Sequence, residues 1–288
     1  MLKLVLFVCS LLLSLGLPLP DIRALWGEMR SETEALEAPL GNSTYGGVPI
    51  LAKSDLRPHD RRIWVITTAC LPWMTGTSIN PLLRAAYLAK DRPAGRITLM
   101  VPFLDKVDQE VAFPPNIRFD FPSQQEQFVR DWLVREAHLP SAAKKLRIVF
   151  YAAKYHDEFH SIFPMGDISE LIPDEEADVC VLEEPEHLTW YRAPFTSKSW
   201  DQKFNHVVGI IHTNYLSYSR TQSAAVFKEP FLYYINQGMC RAYVHKIIKL
   251  SGALQEFASE KEEICNVHGE LFLPHSSIDT KQGYGIST

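Results

Sequence analysis

At 288 residues, 46% hydrophobic and 22% charged, the chain has room for one large α/β domain or two small ones, and its composition speaks against wholesale disorder. A formal net charge of -5, with no basic block longer than Lys144-Lys145, speaks against a general nucleic-acid binder. The 5 cysteines (Cys9, Cys70, Cys180, Cys240, Cys265) are scattered and form no CxxC pair, so neither a zinc site nor a disulfide framework is indicated; small core residues in a reducing compartment fit better.

In chain order, residues 1–20 come first as a hydrophobic leader. Lys3 precedes the apolar stretch Leu4–Leu17, and Ser14-Leu15-Gly16 has a small-x-small pattern. This is the pattern of a secretory signal peptide or a short anchor, below the roughly 20 residues of a spanning helix. A start codon set too far upstream is the competing explanation. Entry into the secretory route would make Asn42-Ser43-Thr44 a glycosylation acceptor. Residues 21–60 mix charge, Pro and Gly without a period and are expected to be a poorly ordered linker, with one short helix around Ile22–Glu37.

From Arg61 the pattern alternates. Apolar runs predict strands at Ile63–Thr68, Ile97–Phe103, Arg147–Tyr151, Asp178–Glu183, His206–His212, Lys246–Leu250 and Glu263–Val267. Several are continuous rather than alternating, as in parallel strands covered on both faces. Helices are predicted at Asn80–Lys90, with Pro81 in the first turn, and at Gln124–His138, with a capping box from Ser123 to Glu126. Ala224–Val244 is a third helical segment, broken or kinked at Pro230. The natural fold is α/β: a single Rossmann-like, doubly wound, mostly parallel sheet over residues 61–269, followed by a short divergent tail at 270–288.

Ligands of such sheets bind beyond the carboxyl ends of the strands. Three segments fall there. Gly76 and Thr77 lie in the turn behind the first strand, where backbone N–H groups and a helix N-terminus converge on phosphate or sugar. The glycine could equally serve only a left-handed turn. Glu183, Glu184, Glu186, His187 and Trp190 follow a buried strand and combine paired acceptors with an apolar ring face, a chemistry suited to sugar hydroxyls; a solvated acidic loop is the plain alternative. His212 ends another strand and is followed by Thr213-Asn214-Tyr215, which favours a site role over an ordinary core histidine. His156 and His160 have helical spacing but no third ligand, so no metal site is expected. There is no GxSxG elbow and no GxGxxG turn.

Together these segments resemble the digalactosyldiacylglycerol synthases, galactolipid galactosyltransferases of plants and algae within glycosyltransferase family 4. The likeness is carried by Trp64–Ala69, Leu71–Thr77, Asn80-Pro81 with Arg84–Ala89, Arg130–Leu133, Ser161–Pro164 with Gly166-Asp167, and Leu182–Trp190. Phe204–Gly209, His212–Leu216 and Cys265–Gly269 extend it. The resemblance implies the amino-terminal domain of a two-domain GT-B enzyme. It implies transfer of galactose from UDP-galactose to monogalactosyldiacylglycerol with retention, without a cofactor or bound metal, at the plastid outer envelope. It implies a galactolipid acceptor and a membrane surface as partners, and no nucleic acid. By resemblance, Gly76 and Thr77 approach the donor, and His212 is the catalytic-side histidine that contacts the donor sugar. Acceptor or sugar binding by Glu183, Glu184, Glu186, His187 and Trp190 is an expectation from the residues themselves. The family pattern continues into a donor-binding domain that residues 270–288 do not match. This chain alone is therefore expected to be weak or inactive while still able to bind galactolipid. A non-catalytic galactolipid-binding or regulatory fragment is the alternative function, and an unrelated Rossmann-like binding module the third.

Overall fold

The computed structural model describes residues 53–157, 161–189, 198–212 and 236–265. The expected leader, most of the linker with its short helix, the Asn42 glycosylation triplet, His160, Trp190, Thr213-Asn214-Tyr215, the 224–235 part of the third helical segment with Pro230, and the 270–288 tail lie outside them.

Among the described residues the strands form one 8-stranded sheet in the order β4-β3-β2-β1-β5-β6-β7-β8. In chain order these are β1 (Ile63–Thr67), β2 (Ile97–Leu104), β3 (Arg147–His156), β4 (Ser161–Pro164), β5 (Val179–Glu183), β6 (His206–Ile211), β7 (Lys246–Lys249) and β8 (Glu262–Ile264). Every neighbouring pair is parallel except β3 and β4. The fold is α/β and Rossmann-like, as expected from the alternating pattern.

The continuous apolar runs are explained by burial on both faces. In β1, Ile63 and Val65 pack on one side with Leu99, Val179, Val181 and Ile210, while Trp64 and Ile66 pack on the other with Met100, Cys180, Leu182 and Val207. Side chains alternate across a strand, so a sheet covered on both sides needs an apolar residue at every position. Cys70, Cys180 and Cys240 are buried free thiols and Cys265 is exposed. Burial pushes the Cys70 thiol up to about 12, which makes it a packing residue and not a nucleophile.

Helices fill the connections. They are α1 (Gly76–Lys90), α2 (Lys106–Ala112), α3 (Pro122–Arg135), α4 (Pro140–Lys145), α5 (Pro185–Leu188) and α6 (Trp200–Lys203), and residues 236–243 are helical as well. Three expectations need correction. Helix α1 begins at Gly76, so Pro81 lies inside it rather than in its first turn. Lacking an N–H, Pro81 leaves the Thr77 carbonyl without its helical donor. The Thr67 hydroxyl supplies one at 2.8 Å and so ties the helix start to the end of β1. Helix α3 is capped by Gln124 rather than by a Ser123–Glu126 box: the Gln124 Oε1 accepts from the backbone N–H of Asp120 (2.7 Å) and of Phe121 (3.2 Å). Glu126 instead pairs with Arg130 at 2.6 Å. Strand β3 runs to His156, because β4 pairs with it antiparallel from Ala153↔Pro164 to His156↔Ser161. A proline is tolerated there because β4 is an edge strand.

Candidate functional site

The chain builds outward from β1 through β2 and β3, then returns to place β5 on the other side of β1. The carboxyl edge shared by β1 and β5 is therefore the switch point, where doubly wound sheets take their ligands. Register brings the expected segments there: Thr67 lies opposite Glu183, and Glu183 opposite Ile210, one residue before the end of β6.

Three polar side chains, from Arg84, Glu183 and His212, meet at this point. Glu183, the last residue of β5, is fully buried. Its Oε1 accepts from the Arg84 Nε at 2.6 Å, and its Oε2 is 2.5 Å from the His212 Nε2. Burial alone would raise the Glu183 pKa. The hydrogen bond with His212 and the Arg84 charge outweigh it, so the carboxyl is held below its ordinary value and is ionised. Arg84 comes from α1, above the face of the sheet that Glu183 and His212 share. Sequence reasoning missed Arg84 as a site residue, since it sits in an amphipathic helix with nothing local to distinguish it.

Gly76 and Thr77 are the first residues of α1, beside this cluster. Gly76 is not in a left-handed conformation, and an added Cβ would meet only the Asn80 Nδ2, at 3.7 Å. Folding does not demand glycine here. The Ser78 hydroxyl fixes the turn by donating to the Trp73 carbonyl at 2.5 Å.

Glu184, Glu186 and His187 are buried, not a solvated acidic loop. Glu184 has φ 71, and is one of two non-glycine residues with positive φ among the described residues. Such a conformation costs of order 1–3 kcal/mol and persists only where the surroundings enforce it. Here the Glu184 N–H donates to the Ile210 carbonyl at 2.9 Å, the Thr68 hydroxyl donates to its carboxylate, and Pro185 starts α5 directly behind it. The Tyr151 hydroxyl adds a bond to the Thr67 carbonyl at 2.8 Å. His187 packs against Phe163, with ring centroids 4.9 Å apart, and burial lowers its pKa.

Glu186 is different. Both carboxyl oxygens are buried, without a hydrogen-bond partner among the described residues. Burial, reinforced by the nearby Glu184 charge, raises its pKa well above the ordinary value. A raised folded pKa means that the folded state binds the proton more tightly than the unfolded one, so the stability this group contributes is full below 4.5, the ordinary value, and is lost as pH rises through the folded value. Glu186→Met should remove that slope and stabilise the fold by about 1–3 kcal/mol near pH 8. Urea titrations at pH 4 and pH 8 check this: a wild-type advantage that grows with pH would contradict a buried neutral carboxyl.

Among the described residues, no group of three or more His, Cys, Asp or Glu side chains is placed to hold a metal ion. No described helix is long and apolar enough to cross a membrane.

The chain is 45% identical over 218 residues to digalactosyldiacylglycerol synthase 1, chloroplastic, of Glycine max, covering 76% of this chain and 27% of that relative. It is 47% identical over 211 residues to digalactosyldiacylglycerol synthase 2, chloroplastic, of Arabidopsis thaliana, covering 73% and 43%. Over this stretch the chain is homologous to the digalactosyldiacylglycerol synthases. Synthase 1 of Arabidopsis thaliana matches in the same way, 44% identical over 217 residues. The chain spans only about a quarter to two fifths of the length of these curated relatives, from 26% to 43%. No family model matches it.

Proposed function

We propose that the protein carrying this sequence is a galactolipid galactosyltransferase, in which the described domain forms the acceptor side of a GT-B cleft. It transfers galactose from UDP-galactose to monogalactosyldiacylglycerol, with retention, giving digalactosyldiacylglycerol. The observation that carries this is the Arg84–Glu183–His212 cluster beside the Gly76-Thr77 turn at the switch point, in a chain 44% to 47% identical to named digalactosyldiacylglycerol synthases.

The chemistry suits a nucleotide sugar. Negative charge builds on the departing diphosphate in the transition state, and fixed N–H donors at a helix start stabilise such charge without reorganising. Gly76 and Thr77 supply that start. His212 contacts the transferred sugar, and no cofactor or metal is needed for these steps. Glu184, Glu186 and His187 serve acceptor or sugar binding, and the same role is proposed for Trp190 from its place in the sequence. The partners are a galactolipid and a membrane surface rather than nucleic acid, and the location is the plastid outer envelope, in keeping with the chloroplastic relatives.

The test is a transfer assay on the full-length protein, with radiolabelled UDP-galactose and vesicles containing monogalactosyldiacylglycerol. Digalactosyldiacylglycerol with an α-linked outer galactose is the expected product. His212→Ala should lower turnover by roughly 100-fold. Wild-type turnover in that variant would remove His212 from the mechanism. Vesicle binding without transfer would favour a non-catalytic galactolipid-binding protein instead.

A further inference from the structure

The buried carboxylate of Glu183 has both oxygens committed inside the protein, one to Arg84 at 2.6 Å and one to His212 at 2.5 Å. It is fully buried, so it is not placed to touch a ligand itself. An ionised carboxylate only accepts hydrogen bonds. The proton between Glu183 and His212 must therefore sit on the histidine Nε2. In a neutral imidazole this leaves Nδ1 as a lone-pair acceptor. Nδ1 has no hydrogen-bond partner among the described residues, while the His212 side chain is only 4% exposed and held at the sheet edge.

We propose that Glu183, locked by Arg84, is the positioning residue that fixes the His212 tautomer and presents Nδ1 as an acceptor to a hydroxyl of the bound sugar. This rests on the reading of His212 as a sugar contact and adds a direction to it: the ligand group facing His212 must be a donor. A hydroxyl satisfies that, whereas a phosphate or carbonyl oxygen would meet a lone pair. The expected direct contact between Glu183 and sugar is thereby replaced by an indirect one through the histidine.

Glu183→Gln separates this role from mere packing. The amide is nearly the same shape but has one acceptor oxygen where the site needs two. With that oxygen facing Arg84, the amide N–H faces Nε2 and drives the ring proton to Nδ1. A triad histidine stranded in the wrong tautomer by the equivalent substitution shows how costly this is. The experiment records imidazole 15N shifts of His212 in full-length wild-type and Glu183→Gln protein, the signal assigned with His212→Asn, alongside transfer kinetics. The expected result is Nε2–H in the wild type, Nδ1–H in the variant, and a kcat reduced roughly 100-fold or more. A wild-type proton on Nδ1 would overturn the proposal even if the variant did not fold. So would an unchanged tautomer and kcat in the variant. A tautomer that switches as expected in a protein whose His212 signals ignore added UDP-galactose would leave the positioning role standing and overturn the sugar-contact reading beneath it.

Discussion

Gly209→Val is expected to destabilise the domain by about 3 kcal/mol, the upper end for forcing extra atoms into a packed core. Gly209 lies in the middle of β6, paired with Leu182 of β5 and Ile247 of β7. A Cβ there would stand 2.9 Å from the Pro185 Cγ and 3.1 Å from the Val244 Cγ1. Neither neighbour retreats easily. Pro185 is a rigid ring held behind the left-handed Glu184, whose N–H is bonded to Ile210, and Val244 is buried in the core. Glycine is thus required at this position by close approach of the α5 elbow rather than by backbone conformation. Gly209→Ala should fall nearer about 1 kcal/mol. Urea denaturation reads both, as a lower midpoint at unchanged slope. A valine variant as stable as wild type would mean that the elbow does not press on β6.

Arg84→Met should cost about 3 kcal/mol, near the lower end for stripping one partner from a buried ion pair. The lower end applies because the Arg84 side chain is 30% exposed and His212 still bonds the carboxylate. The melting temperature should fall by roughly 6–12 °C, at about 2–4 °C per kcal/mol for a domain of this size. The pH dependence follows from the lowered Glu183 pKa. A folded pKa below the unfolded one adds stability that is present above the ordinary 4.5 and is lost as pH falls through the folded value. The gap between wild type and variant should therefore be full at pH 7 and close on acidification below 4.5. Differential scanning calorimetry across pH 3–7 measures it. A gap constant with pH would show that Arg84 acts through its alkyl stem and not its charge. Arg84→Met combined with Glu183→Met should recover part of the loss, because apolar replacement of a whole buried pair is often close to neutral.

These two sites differ in how they could be recognised from the chain. The strand containing Gly209 was legible because His206–Ile211 is an apolar run, yet nothing in that run says that its glycine faces a proline. Strand β4 was missed for a similar reason: Ser161–Pro164 is short, ends in proline and has no period of its own, and it is a strand only because the end of β3 is there to pair with it. The start of α1 was placed four residues late, since Pro81 signals a first turn locally while the hydroxyl that lets it sit deeper belongs to Thr67 in the preceding strand.

The layered α/β character, the approximate strands, and the gathering of Gly76, Thr77, Glu183, Glu184 and His212 at strand ends were legible in the chain alone. Period and run length are local properties, and in a parallel sheet all carboxyl ends share one edge. What those residues do for one another was set by the packed fold. Arg84 and Glu183 are separated by 99 positions, and Glu183 and His212 by 29. A hydrogen bond across such distances depends on which strands are neighbours, in what register, and on which face each side chain lands. The same holds for Glu186: as one carboxylate among three it was expected to bind sugar hydroxyls, with a solvated loop as the alternative, and packing of α5 against the sheet instead buries it without a hydrogen-bond partner among the described residues and raises its pKa.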